Sequence, residues 1–292
     1  MASETIRWHC DGHDMVIGLD RMGTGPTVLM LPALSSISTR RELHPLQLRL
    51  ADEFEVVSID WPGFGDLPKP FVEWRPDVYE RFVAFLFEQV APSPFAVVAA
   101  GHAAGYVTRH LAAHDESVQR LVLLSPTWRG PLPTMTNGKY GRFPRIAKAV
   151  DLPLIGPLLY QLNVNRAVVG MMARGHVYAD PDWLDDNRMQ DKLTVTRVPG
   201  ARHSSVRFVA GCVDPFSTRN EQLDALRHVQ VPMLNVFADT APRKSRGEME
   251  AIAELPGVET IRLPLGKLSF YEEFPERAAE AIRGFLSVDA AA

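Results

Sequence analysis

At 292 residues the chain is long enough for one large domain, or for a core domain carrying an insertion. An apolar fraction of 46% with 23% charged residues describes a globular protein, and a net charge of −4 without a basic block argues against nucleic-acid binding. No run reaches the roughly 20 apolar residues of a membrane span. The two cysteines, Cys10 and Cys212, make neither a disulfide framework nor a metal pattern, and the N-terminus MASETIRWHCDGHD lacks the apolar core of a signal peptide. A reducing, cytoplasmic location is the expectation.

In chain order, Ile6 to Asp11 and Met15 to Met22 read as two strands around a turn at Gly12. After the breaker Gly23-Thr24-Gly25-Pro26, Thr27 to Leu31 is a continuous apolar strand of the kind buried in a parallel sheet. It runs into Pro32-Ala33-Leu34-Ser35-Ser36. A helix over Glu42 to Leu50 leads to a strand over Phe54 to Asp60, and Val78 to Val90 has apolar residues at helical spacing. Phe95 to Ala100, a turn of small residues, a helix and the strand Leu121 to Leu124 follow. Pro232 to Ala238 and Gly257 to Leu263 are further strands, and Pro275 to Leu286 is a closing helix. Residues 129–227 are rich in proline, glycine and apolar residues, with helical pieces such as Pro157 to Met172 and no strand rhythm.

Alternating strands and helices call for a parallel sheet covered on both faces. Strand, sharp turn, helix and strand around Gly101-His102-Ala103-Ala104-Gly105 is the setting of a G-x-S-x-G nucleophile elbow. Together with D-W-P-G-F-G at Asp60 to Gly65 and L-P-A-L at Leu31 to Leu34, it makes the chain resemble the α/β-hydrolase superfamily over about residues 5–130 and 228–287. The resemblance implies an eight-stranded, mostly parallel sheet. It also implies a core of residues 1–128 and 228–292 and a helical cap at 129–227 that roofs a pocket.

The same resemblance identifies the positions of the Ser, Asp or Glu, and His of the family's triad. Ala103 falls at the nucleophile. Ala238-Asp239-Thr240-Ala241 puts Ala241 at the acid, with Asp239 two residues early as a substitute. Gly266-Lys267 puts Lys267 at the base. Acyl transfer needs a hydroxyl, a base and an orienting acid, and none of the three stands here. Backbone donors do not depend on side chains, so an oxyanion hole from Ala104 and Leu34, with Ser35 beside it, is expected to persist.

Among the remaining residues, His102 is read as a structural histidine of the elbow, with a pocket acid or base as the alternative. Trp128 is either a pocket wall or core packing. His110 and His114 have an i,i+4 spacing that could bind metal, but no third ligand is near, so no metal is expected. Arg202, His203 and Arg207 could meet an anion or form a solvated helix face. Lys244 and Arg246 lie near the acid loop, and Tyr271 and Glu272 near the base loop. Lys267, if buried, could act as a base. Three functions stay open. One is a triad-less protein that binds a small apolar or carbonyl-bearing molecule, with no cofactor, and whose chemistry would be non-hydrolytic, of lyase, isomerase or cyclase type. Another is a hydrolase with a displaced triad from Ser35 or Ser36, Asp239 and His203. The third is an interaction protein with a collapsed pocket.

Overall fold

The computed structural model describes residues 2–114, 118–138, 141 and 143–287. Eight strands, β1 (Ala2–Cys10), β2 (His13–Met22), β3 (Thr27–Leu31), β4 (Glu55–Ile59), β5 (Ala96–Ala100), β6 (Arg120–Leu124), β7 (Met233–Ala238) and β8 (Val258–Leu263), form one sheet. Their spatial order is β1-β2-β4-β3-β5-β6-β7-β8. β1 and β2 pair antiparallel, as do β2 and β4, and every other pairing is parallel. The β1–β2 hairpin closes on Asp11-Gly12, both at positive φ, between the paired Cys10 and His13. This is the two-residue turn that Asp-Gly favours.

The central strands are apolar throughout because both faces are covered. Leu29, Leu31, Val57, Ile59, Val97 and Ala99 point to one side. There they meet α2 (Pro76–Phe85) and α3 (His102–Ala113). Val28, Met30, Val56, Val98, Ala100 and Val122 point to the other. They pack on α1 (His44–Leu50) and α13 (Pro275–Leu286). The period of two along each strand thus sorts one apolar sequence into two cores.

Between β6 and β7 the described residues contain no strand. They hold α4 (Pro131–Met135), α5 (Phe143–Asp151), α6 (Ile155–Asn163), α7 (Arg166–Met172), α8 (Asp186–Thr196), α9 (Ala201–Val209) and α10 (Arg219–His228). The single helical piece expected over Pro157 to Met172 is two helices. Asn165 breaks it: its side chain accepts from the amides of Ala167 and Val168 at 3.0 and 3.1 Å and caps α7. Past β7 lie α11 (Arg243–Ala253) and, past β8, the single turn α12 (Phe270–Glu273).

Candidate functional site

β5 ends at Ala100 and α3 begins at His102, so the chain must reverse within one residue. That residue is Gly101, at φ 54 and ψ −123. Its amide donates to the Leu124 carbonyl at 2.9 Å and its carbonyl accepts from Thr127 at 3.1 Å, which ties the turn to the end of β6. A nucleophile elbow is this strained strand-to-helix turn, and the residue at its apex is the one exposed above the sheet. The apex is therefore Gly101. Ala103, the residue expected there, lies two positions later in α3 and is fully buried. The G-x-x-x-G spacing misleads because its two glycines answer different needs. Gly101 supplies the positive φ, whereas at Gly105 a Cβ would stand 2.5 Å from Pro215 of the insertion.

The oxyanion positions move with the apex. The Ala104 amide is engaged with the Gly101 carbonyl at 3.3 Å, so it is no free donor. His102 occupies the first position of α3, where a helix leaves its amide without an intrahelical acceptor. Across from it, Leu34 is buried, and the Ala33 amide donates to Glu42 Oε1 at 2.9 Å. A Cβ placed on Gly101 would stand 3.0 Å from the Ala33 methyl. Ser35 is turned inward on its own loop, its Oγ accepting a long bond of 3.4 Å from Ile37.

His102 is 2% exposed and sits in a relay. Its Nδ1 lies 3.0 Å from Thr127 Oγ1 and its Nε2 3.3 Å from Asp214 Oδ1. Asp214 also accepts the Gly130 amide at 2.8 Å. Phe208 of α9 packs edge-on against the imidazole at 5.0 Å. Thr127 and Asp214 carried no sequence signal. They come together because β6 and the end of the insertion meet over the elbow.

The remaining candidates lie elsewhere. Ala241 packs with Phe237 and Met249. Asp239 is exposed, and its backbone, not its carboxylate, is engaged, with Leu263 and Arg246. Lys267 donates from Nζ to the Arg174 carbonyl at 2.6 Å and so stitches the loop after β8 to the insertion rather than serving the elbow. His203 pairs with Asp151 at 2.6 Å and meets Phe71, and Arg207 binds the same carboxylate. Arg202 donates to the Val150 carbonyl at 3.1 Å. Trp128 donates from Nε1 to Glu248 at 3.1 Å, in a group that includes Arg129 and Arg219, and so anchors the segment after β6. Lys244 Nζ reaches the carbonyls at the end of α4, 2.7 Å from that of Met135. His110 and His114 stack at 4.4 Å, and the described residues contain no group of three metal-ligating side chains.

A second buried polar group lies behind the Ala33 loop. Glu42 accepts from the Ala33 amide and from Tyr271 at 3.2 Å, while Lys192 of α8 bonds Glu272 at 2.8 Å and Tyr178 donates to the same carboxylate at 2.7 Å. Burial, reinforced by Glu272 and opposed by Lys192, pushes the Glu42 carboxyl up to about 7. A carboxyl raised in the fold favours the acid form. Its contribution to stability is full below the ordinary value of 4.5 and is lost as pH rises towards 7. Glu42→Gln keeps the acceptor for Ala33 and abolishes the titration. The variant is expected to flatten the stability profile between pH 4.5 and 7, read from urea midpoints. An unchanged slope would place the titration elsewhere.

α9 lies directly on the D-W-P-G-F-G loop. Ser204 bonds the Gly63 carbonyl, Ser205 Oγ meets Ser36 Oγ at 2.5 Å, and Phe208 contacts Phe64 edge-on at 6.3 Å. Two pockets beside this loop hold about 10 Å³ each, room for a single water. Beneath α9 the floor is aromatic. Tyr79 contacts Trp61, Phe64, Trp74 and Tyr106 with ring centroids 5.3–6.2 Å apart. Trp74 Nε1 and Tyr79 OH, both buried, have no hydrogen-bond partner.

The family model of the alpha/beta hydrolases matches residues 28–281. The chain belongs to the alpha/beta hydrolase family. Among solved structures, Cfl2 from Burkholderia cenocepacia is 24% identical with a TM-score of 0.74, over 97% of this chain and 95% of that one. A thermophilic esterase from Thermogutta terrifontis is 16% identical with a TM-score of 0.74, over 98% of both chains. The haloalkane dehalogenase DatA from Agrobacterium tumefaciens C58 is 14% identical with a TM-score of 0.72, over 98% of this chain and 96% of that one. At these identities the likeness is one of fold. No curated protein sequence matches the chain. This alpha/beta hydrolase keeps the family's strand–turn–helix elbow, and its apex residue has no side chain.

Proposed function

We propose that this family member does not carry out nucleophilic acyl transfer and instead holds a small carbonyl-bearing molecule between its core and a helical cap. In this reading residues 1–128 and 228–292 are the core and 129–227 the cap. The observation that carries it is Gly101 at the elbow apex. A glycine offers no oxygen or sulfur to attack a carbonyl carbon. An alanine at the acid position orients no base, and an ammonium at the base position has no lone pair to take a proton. The ligand follows from the floor under α9. Trp74 Nε1 is a donor only and Tyr79 OH can donate, so each is suited to an acceptor such as a carbonyl oxygen. Each unpaired buried donor costs about 1–3 kcal/mol, which a bound acceptor would recover. α9 has to lift from the Gly63 loop to admit it. Any chemistry there would rest on positioning and on the His102 amide, without a covalent intermediate.

Purified protein is expected to hydrolyse p-nitrophenyl acetate at the background rate, to take no label from a fluorophosphonate, and to carry a small molecule in native mass spectra. Turnover that the phosphonate blocks, with one adduct per chain, would end this reading. One observation favours a second reading: the hydroxyl–imidazole–carboxylate relay of Thr127, His102 and Asp214 has the composition of a displaced triad. It predicts a phosphonate adduct on Thr127 that Thr127→Val removes.

A further inference from the structure

We propose that α5 and α6 form a docking face for an anionic lipid surface. The argument starts from α6, which is apolar on two opposite sides. Gly156 and Tyr160 face the protein, one turn apart. Ile155, Leu158 and Leu162, at the i, i+3, i+7 spacing of a second stripe, are 55%, 64% and 60% exposed. Leu154, just before the helix, is 89% exposed. A helix of a globular protein needs one apolar stripe to face its core, and a second one facing water costs free energy unless something covers it.

The charge around the stripe selects what covers it. On α5 the exposed Ile146 lies between the exposed Arg145 and Lys148. Among the described residues from Thr136 to Ala179 there are four cations, Arg145, Lys148, Arg166 and Arg174, against one carboxylate, Asp151, and of the four Arg166 pairs with Asp186 of α8. That carboxylate is already held by His203 and Arg207. The cations are spread singly, so no basic block stands out in the sequence. The whole chain carries −4, so everything outside this segment is more acidic than the chain as a whole. An anionic bilayer would attract this face and repel the others, which fixes one orientation. Apolar residues beside Lys and Arg on a short helix are the composition of an element that lies in the plane of the headgroups. A second copy fits less well, because a two-fold contact sets a patch against itself and would oppose Arg145 and Lys148 to their own equivalents. Docking here is peripheral, since no helix among the described residues is long and apolar enough to cross a membrane. The inference does not depend on what the elbow does.

The test is co-sedimentation with phosphatidylcholine vesicles made with and without phosphatidylglycerol. The wild-type chain is expected to sediment with the anionic vesicles, to release in high salt, and to ignore the neutral ones. Arg145→Gln with Lys148→Gln should lower the partition coefficient about 30-fold, and Leu158→Glu with Leu162→Glu should abolish binding. All four side chains are exposed, so circular dichroism and the melting temperature should match wild type. Leu48→Glu, at a leucine on α1 that is 51% exposed, should bind as wild type does. The proposal is overturned if the anionic vesicles do not bind the protein, or if the Leu158→Glu, Leu162→Glu variant binds as well as wild type. It is also overturned if light scattering finds a dimer that this variant dissociates, since the covering partner is then a second copy.

Discussion

Arg40→Ala is expected to lower the stability of the chain by about 3–5 kcal/mol, the cost of stripping one partner from a buried ion group. The Arg40 guanidinium is 4% exposed and meets Asp20 at 3.0 Å, Asp60 at 2.6 Å and Asp66 at 2.8 Å. Asp20 lies within β2, Asp60 directly follows β4, and Asp66 follows the D-W-P-G-F-G loop, so one cation joins three segments. Burial, the largest influence, already pushes the Asp60 carboxyl up to about 6 in spite of the adjacent charge. Without Arg40, Asp66 keeps its pair with Arg41 at 3.0 Å, but the buried Asp20 and Asp60 lose their ion-pair partner and either ionise at a large desolvation cost or take up protons. Domains have only about 5–15 kcal/mol to lose, so urea denaturation should show a large shift of the midpoint. Adding Asp60→Asn to Arg40→Ala should recover part of the loss, because it removes one stranded charge. A midpoint within error of wild type for Arg40→Ala would show that the group is solvated.

Asp214→Ala is expected to cost about 2–4 kcal/mol and to loosen the insertion over the elbow, because charged hydrogen-bond partners contribute about 1.5–3 kcal/mol each and a cavity adds to the loss. The Asp214 side chain is fully buried, with Oδ1 against the Gly130 amide at 2.8 Å and His102 Nε2 at 3.3 Å. It thus connects Gly130 at the start of α4, the elbow helix and the segment following α9. Asp214→Asn keeps an acceptor of similar shape and should lose markedly less. The measurement is hydrogen exchange at the α9 amides together with urea denaturation. Faster exchange confined to α9 and the segment after it, at a modest change in the midpoint, locates the loss at the seam. Equal melting of Asp214→Ala and wild type would mean that the relay does not hold the insertion down.

How much of this was legible in advance depends on the range of the interactions involved. The strands Thr27 to Leu31, Phe54 to Asp60 and Phe95 to Ala100, and the closing helix Pro275 to Leu286, lie within a residue of the observed elements. Their signals are local: continuous apolar runs bounded by breakers, or apolar residues at helical spacing. The family was legible for the same reason, since D-W-P-G-F-G and the strand–turn–helix setting are short and contiguous. Asn165 shows the limit of that method, because one cap residue cut an apolar run that periodicity alone reads as a single helix.

The sequence by itself determined the strands, their alternation with helices, and the family. The tertiary structure decided where the elbow apex falls. Gly101 and Gly105 look alike in sequence, and only the torsion at one and the contact with Pro215 at the other tell them apart. It also decided that His102 meets Thr127 and Asp214, 25 and 112 residues away, and that Lys267 turns to Arg174 instead of the elbow. Whether α9 closes on the Gly63 loop is likewise a matter of packing between segments 141 residues apart. Side-chain type is carried by each residue alone. Its partner, its burial and the space left beside it are set by which distant segments the fold brings together, and those contacts leave no periodicity along the chain.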